Sequence, residues 1–244
     1  MAKLTLLDMT QNILSAMDSD SVNSLGDTVE SLQVAEIIKE TYFDIVSGRD
    51  WPFLKSYTSL VGLGDVSNPT KMEFPETADK VYWIKYNKKT IFYMTPEEFQ
   101  DMLDLRVTEA GVVDSNGFFL TQDPQYWTTF DDTIIFFDSI NLVVDTTLQQ
   151  SKSKAYMLLA PDWELDNQFI PTLPDKMFPL LLADAKSTCF LNLKQVANAK
   201  EERKAQRLRV RMQGEARRAK DATHQTNEEI NYGRSSGTRS IKRS

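Results

Sequence analysis

The period of the hydrophobic pattern changes twice along the chain, and this change constrains the fold more than any other feature. Apolar residues recur every three or four positions from Thr5 to Met17, from Asp27 to Gly48, and again over residues 175–221, which indicates amphipathic helices. Between these segments lie short runs rich in aromatic and β-branched residues, such as KVYWIKY, KTIFYM and TIIFFD, which indicate strands. The sequence therefore predicts an α+β fold.

The order of these segments predicts a helical bundle with a long C-terminal helix and an inserted antiparallel β domain. We expect residues 1–54 to form an N-terminal helical pair, 55–160 the β-rich insertion, 161–222 the long helix that completes the bundle, and 223–244 a flexible basic tail. Thr5 with Asp8 predicts a capping box at the first helix, and Asp27 is the predicted N-cap of the second. Within the insertion, Thr95-Pro96-Glu97-Glu98 predicts the start of a short helix, and the stretch from Thr108 to Gly117 predicts a loop. Polar turns at Asn87-Lys88-Lys89 and Asp131-Asp132 predict hairpins.

The predicted C-terminal helix is longer than a compact domain needs. Roughly 45 helical residues would span about 70 Å, so part of the helix is expected to protrude or to pack on another chain. Gly214 is its expected point of weakness. The chain has no run of about 18 apolar residues, so no membrane span is predicted.

Charge is distributed unevenly between the two ends of the chain. The whole sequence carries a net charge of −7, yet residues 200–220 contain nine Lys or Arg against three Glu. Such asymmetry suggests that the two ends face different surroundings. The basic segment has two interpretations: its cations contact DNA phosphates, or they pair with acidic surfaces of neighbouring proteins. The interspersed glutamates and the lack of aromatic residues for base stacking weaken the DNA interpretation.

The residues that usually carry catalysis are scarce. The single histidine, His224, lies in the predicted tail, and the single cysteine, Cys189, lies on the apolar stripe of a helix. Asp131 and Asp132 are explained by a turn. No Gly-rich phosphate-binding loop and no zinc-ligand spacing occurs, so we predict neither a cofactor nor an enzyme.

Four stretches of the sequence carry a family resemblance. They are the opening TLLDMTQNILSAMDSDSVNSLGDTVESLQVAEIIKETYFDIVSGRDWPFL, the paired runs DPQYWTTFDDTIIFFDS and SKAYMLLAPDWEL, and LPDKMFPLLLADAKSTCFLNL at the start of the C-terminal helix. Together they resemble the family of tail tubular protein A, the head-to-tail adaptor of short-tailed bacteriophages. The run from Tyr82 to Leu105 and the basic extension after residue 200 depart from the family pattern.

The resemblance implies a structural virion protein without catalytic activity. Adaptors of this family form a ring, typically twelvefold, beneath the portal at the head–tail junction, after assembly in the cytoplasm of the infected bacterium. They extend the channel through which genomic DNA passes without sequence-specific binding, and they present a platform to the tail nozzle or tail proteins. The expected partners are therefore the portal protein, tail proteins and further copies of the chain, with no membrane.

On this hypothesis, residues of the C-terminal segment contact the portal or another partner. They are Arg203, Lys204, Arg207, Arg211, Met212, Arg218 and Tyr232. Packing between subunits falls to Tyr42, Trp51, Leu182 and Leu193. Two alternatives remain. One is a DNA-binding or packaging accessory protein that uses the same basic helix. The other is a polysaccharide hydrolase of the virion that uses two carboxylates of the β domain. Asp162 and Glu164, which flank Trp163, would suit a carbohydrate cleft, but a surface connection explains them better.

Overall fold

The computed structural model describes residues 3–107 and 116–215, which divide into two compact units. A helical unit is built from the described residues of Met1–Trp51 and Pro161–Ser244, and a sheet unit from those of Pro52–Ala160. The chain is thus mixed α+β, with a sheet inserted between N-terminal and C-terminal helices. The predicted loop at 108–117 lies mostly outside the described residues, as does the predicted tail.

The helical unit contains α1, Leu6–Ala16, α2, Val29–Ser47, α4, Phe178–Lys194, and α5, residues 199–215. The predicted capping box at α1 is confirmed, since Thr5 and Asp8 each accept the other's backbone N–H at 3.1 Å. The predicted cap of α2 was one residue early. Thr28 caps this helix together with Ser31, while the Asp27 carboxylate accepts the N–H groups of the preceding loop.

The core of the helical unit lies between α1, α2 and α4. Its largest fully buried side chains include Met9, Ile13, Tyr42 and Phe178. Asn167 fastens the loop before α2 to the returning chain, because its side-chain oxygen accepts the Leu25 N–H at 2.9 Å. Residues from both ends of the chain therefore complete one core.

The predicted single helix over 175–221 was wrong. Helix α4 ends at Lys194, because Gln195 takes a left-handed conformation with φ 54° and its N–H bonds back to Phe190 O. Asn198 then caps a new helix, since its side-chain oxygen accepts the Glu201 N–H at 3.3 Å. Glu215 near the described end of α5 bonds Lys176 at 2.7 Å, so α5 runs antiparallel to α4 as a helical hairpin. The break lies near Gln195 and not at Gly214.

The sheet unit contains seven strands in the order β1-β7-β3-β4-β5-β6-β2, curled into a half-barrel. The strands are β1 Lys55–Thr58, β2 Lys71–Glu73, β3 Ala78–Tyr86, β4 Lys89–Tyr93, β5 Tyr126–Thr129, β6 Ile134–Phe137 and β7 Ser153–Leu159. The β4–β5 pair is parallel, so the sheet is mixed and the prediction of a purely antiparallel sheet is corrected. Helix α3, Pro96–Val107, supplies the crossover that a parallel pair requires.

The predicted local signals of the sheet unit are confirmed. Asn87 and Lys88 take positive φ angles of 46° and 68° and form the tight β3–β4 turn. The Thr95 hydroxyl donates to the Glu98 carboxylate at 2.8 Å where α3 begins. The core under the sheet includes Ile84, Trp127, Ile135 and Phe137.

An ion pair between the buried Asp138, which follows β6, and Arg106 holds α3 to the sheet. Asp138 is fully buried, and one of its carboxylate oxygens accepts the backbone N–H groups of Gln125 and Tyr126, both at 2.8 Å. The other oxygen pairs with the Arg106 guanidinium of α3 at 3.1 Å. A buried carboxylate is tolerable here because each oxygen has charged or polar partners.

Candidate functional site

The basic face of α5 is the best candidate for a functional surface, and it is built by the way α5 sits on the helical unit. Ala205 and Met212, seven residues apart, are only 4% and 5% exposed, so they anchor one side of the helix. Arg209 pairs with Asp184 of α4, and Lys176 pairs with Glu215. These contacts fix which side of α5 is turned outward.

The outward side carries Arg203 and Arg207, one helical turn apart and both exposed. The Arg207 Nε donates to Arg203 O at 3.3 Å, which holds this side chain along the helix. Neither guanidinium forms an ion pair with any residue in 3–107 or 116–215. Two positive charges therefore remain available to an acidic partner.

The side of α5 next to the start of α4 forms a shallow groove. A cavity of about 470 Å³ lies there, with an apolar floor and a basic rim, lined by Lys176, Pro179, Lys204, Arg207, Leu208, Arg211, Met212 and Glu215. Hydrogen bonds from Lys176 and then Arg211 hold the pKa of Glu215 below its usual value. Lys204 pairs with Glu201 at 3.2 Å. The groove thus has fewer uncompensated cations than the outward side.

The predicted partner-binding residues therefore separate into three groups. Arg203, Lys204, Arg207 and Arg211 lie on the accessible basic surface of α5. Met212 is buried against the helical unit, so its predicted contact with a partner is corrected to an internal packing role. Arg218 and Tyr232 lie outside the described residues.

The residues predicted to pack between subunits belong largely to the interior of their own unit. Tyr42 is 0% exposed and its ring lies 5.4 Å from that of Trp163. Burial, with a smaller contribution from Asp162, raises the pKa of Tyr42 to about 12. Trp51 is 7% exposed and its Nε1 donates to Ile45 O at 2.9 Å. For both residues the predicted subunit contact is corrected to internal packing, while Leu182 and Leu193 are half-buried.

The carboxylates considered above form hydrogen bonds to nearby backbone and hydroxyl groups. Asp131 is exposed and accepts the Thr133 N–H at 3.1 Å, and hydrogen bonds from Thr133 lower its pKa, as in the predicted turn. Asp162 accepts the Thr172 hydroxyl at 3.2 Å. Residues 3–107 and 116–215 hold no group of three or more His, Cys, Asp or Glu side chains placed to bind a metal ion. His224 lies outside the described residues.

One surface that sequence reasoning missed is an aromatic row on the outer face of the sheet. Tyr57 and Trp83 both lie opposite Tyr156 in the strand register, and the Trp83 and Tyr156 rings stack at 5.7 Å. The Lys85 and Lys154 amines lie 5.0 and 6.0 Å from the Trp83 and Tyr57 ring centroids. The rings thus contact one another and lysine amines, although Tyr57 remains 60% exposed. The alternation of aromatic and lysine residues in KVYWIKY was the available signal.

A second missed surface is the outer face of α2, where Glu36 and Glu40 are exposed one turn apart. Glu36 pairs with Lys39 at 3.3 Å, and Glu40 has no ion pair with a described residue. The spacing of these glutamates in EIIKETYFD was the available signal.

Comparison with known proteins adds no assignment: no protein-family profile matches the chain, and no curated protein is significantly similar to it. Among the described helices, none combines the length and apolar character needed to cross a membrane.

Proposed function

We propose that the protein is a structural head-to-tail adaptor of a tailed bacteriophage, which assembles as a ring beneath the portal and docks tail proteins. The proposal rests on the family resemblance of the sequence. The observation that carries it in the structure is the exposed basic side of α5, which is anchored to the helical unit and presents Arg203 and Arg207 outward. A protein that joins two assemblies needs such a rigid, charged docking element.

The anchoring of α5 supports docking over a purely solvating role. Two ion pairs to other parts of the helical unit, Arg209–Asp184 and Lys176–Glu215, limit how far the helix can turn. Side chains fixed in this way lose less conformational entropy when they pair with a partner. We therefore assign the basic surface of α5 to acidic surfaces of neighbouring proteins in the assembly, the portal among them, and the channel of the ring to the passing DNA.

The acidic remainder of the chain fits a channel through which DNA slides. Residues 1–193 carry 14 basic and 29 acidic groups, and like charge disfavours sticking of DNA to a protein surface. The glutamates interspersed on α5, of which Glu201 and Glu215 pair with cations of the same surface, also disfavour a phosphate-binding role.

The decisive experiment is the light-scattering mass of the purified protein, alone and after mixing with its cognate portal ring. We expect a small species alone, and a fixed multiple of the chain on the portal. The variant Arg203→Glu with Arg207→Glu and Arg211→Glu should lose portal attachment at physiological salt. The matched control, Lys85→Glu with Lys88→Glu and Lys89→Glu, makes the same charge change in the sheet unit and should attach normally.

Absence of portal attachment by the unaltered protein would contradict the proposal. In that case duplex DNA is the next partner to test. Binding with a steep salt dependence, lost in the α5 variant, would favour the accessory DNA-binding function.

A further inference from the structure

Two stripes on the surface of the helical unit have opposite charge, and each spans twelve residues. On α5, Arg203, Arg207, Val210 and Gly214 follow one another at intervals of four, three and four residues, so they form one stripe opposite the buried Ala205 and Met212. Val210 is 65% exposed, although it lies on a helix whose other side is packed. We refer to these four residues as the basic stripe.

The acidic stripe lies on α2 and consists of Val29, Leu32, Glu36 and Glu40. Its intervals are three, four and four residues, and it faces away from the buried Val34, Ile38 and Tyr42. Val29 is 73% exposed and Leu32 38%. Each stripe thus has two charged residues at one end and an apolar side chain toward the other.

The two stripes match when their helices run antiparallel. Arg203 then lies opposite Glu40, Arg207 opposite Glu36, and Val210 opposite the turn that contains Leu32. Gly214 lies opposite Val29, and a Cβ added at Gly214 would meet no described residue within 4 Å beyond its own helical turn, which leaves room for a neighbouring side chain. The match holds because one helical turn advances both stripes by the same 5.4 Å or so.

Within one chain the stripes remain apart. No ion pair joins Arg203 or Arg207 to Glu36 or Glu40 in the part of the chain that the structure describes. We propose that the basic stripe of one copy docks on the acidic stripe of the next copy, as an antiparallel helix pair. The occupant is a second copy because the same chain supplies both complementary surfaces.

This contact joins two different surfaces, so it is heterologous and repeats from copy to copy until a ring closes. The inference rests on the proposed ring-forming function and refines its assignment of α5. The outward side, with Arg203 and Arg207, belongs to the next copy. The groove side, with Lys204 and Arg211, remains for the portal.

The charge and size of the contact predict that it is weak in solution. Exposed ion pairs contribute little individually and are screened by salt. Copies held side by side on a portal have a high effective concentration, so nearly all of them form the same contact there. Ring closure would thus follow portal binding.

Cross-linking tests the register directly. The chain carrying Glu40→Cys and Arg203→Cys is treated with a short bis-maleimide at high protein concentration and low salt, with and without portal. The native Cys189 does not interfere, because it is fully buried and burial raises the pKa of its thiol to about 12. We expect a ladder of multiples of 27.9 kDa. The control chain carries Asp20→Cys with Arg203→Cys and should give no ladder. Absence of the ladder from the test chain in both conditions would overturn the inference.

Charge exchange separates a specific contact from general attraction. Arg203→Glu with Arg207→Glu, or Glu36→Arg with Glu40→Arg, should each reduce the ladder at least tenfold when built into the cysteine pair Leu32→Cys and Val210→Cys. The four substitutions together should restore it, since the complementary signs are exchanged in one chain. No restoration would contradict the pairing.

Failure of the inference and failure of the proposed function give different results. Portal attachment that needs Lys204 and Arg211, without any ladder, keeps the adaptor function and overturns the contact between copies. A ladder without portal attachment keeps the contact between copies and contradicts the adaptor function.

Discussion

The helical unit and the sheet unit use the chain in opposite ways. The sheet unit is one continuous segment, from Pro52 to Ala160, in which β3–β4 and β5–β6 form hairpins and β7 returns to pair with β1 and β3. The helical unit is made from two segments separated by that insertion, and its core forms only when α4 returns to α1 and α2. The first unit therefore closes within its own segment, whereas the second closes across the whole inserted sheet.

The two units also differ in how they treat charge. The sheet unit buries the Asp138–Arg106 pair, whereas the ion pairs that fix α5 lie on the surface of the helical unit. Buried pairs specify a single arrangement and cost much when broken, but surface pairs can be exchanged for a partner's charges at little cost. This difference explains why the helical unit carries the proposed docking surfaces.

The largest expected effect comes from Asp138→Ala in the sheet unit. The substitution leaves the Nη2 of Arg106 and two backbone N–H groups without their acceptor, so we expect a loss of about 3–5 kcal/mol in the free energy of unfolding. Hydrogen exchange read peptide by peptide should place the loss in residues 52–160. The control Asp123→Ala, which removes a surface partner of Lys89, should cost less than about 1 kcal/mol. An equal increase of hydrogen exchange in both units would contradict a loss of stability confined to the sheet unit.

A comparable test in the helical unit is Leu181→Ala. Leu181 is 0% exposed on α4, so its truncation should cost about 2–5 kcal/mol. We expect faster exchange in α1 and α2 as well as in α4, because all three helices share one core. Leu191→Ala on the same helix removes a side chain that is 58% exposed and should have little effect. Faster exchange confined to α4 would contradict the shared core.

A smaller effect is expected at the start of α2. Thr28→Ala removes the side-chain oxygen that accepts the Ser31 N–H at 3.0 Å, and we expect a loss of about 1 kcal/mol in chemical denaturation. Thr28→Ser keeps the hydroxyl and should retain most of the stability. An equal loss in both variants would show that the methyl group, and not the cap, is responsible.

The smallest effect should be a gain in stability at Gly214. The Cβ of Ala at this position would meet no atom of residues 3–107 or 116–215 within 4 Å beyond its own helical turn, so Gly214→Ala should raise the free energy of unfolding by about 0.5–1 kcal/mol. The same substitution at Gly117 of the sheet unit should destabilise, because φ is +83° and the new Cβ would lie 2.3 Å from Leu103 O. Thermal unfolding of the two variants should shift in opposite directions. A shift of the unfolding temperature in the same direction for both variants would contradict this contrast.

Signals that act within a few residues were predicted correctly from the sequence. The capping box at Thr5 and Asp8, the start of α3 at Pro96 and the turn at Asn87 and Lys88 all depend on neighbours along the chain. The α+β class and the insertion of the sheet followed from the change in period. These features need no tertiary contact to be recognised.

The candidate site was predicted only in part. The basic character of α5 was readable, but the burial of Met212 and the outward position of Arg203 and Arg207 depend on how α5 lies against α4. The acidic stripe of α2 was overlooked because its glutamates looked like an ordinary solvated face. Glu36 and Glu40 indicate a contact between copies only when they are compared with the basic stripe of α5.

The sequence by itself determined the types of the elements, their order and the sign of charge on each, because these depend on local periodicity and composition. The tertiary structure alone decided that the C-terminal segment folds back at Gln195 and that β4 pairs in parallel with β5. An apolar stripe with a period of 3.6 residues continues unchanged through a reversal of the chain, since both helices bury the same kind of face. Strand direction likewise depends on the path of the connecting chain and leaves no mark on the residues of the strand.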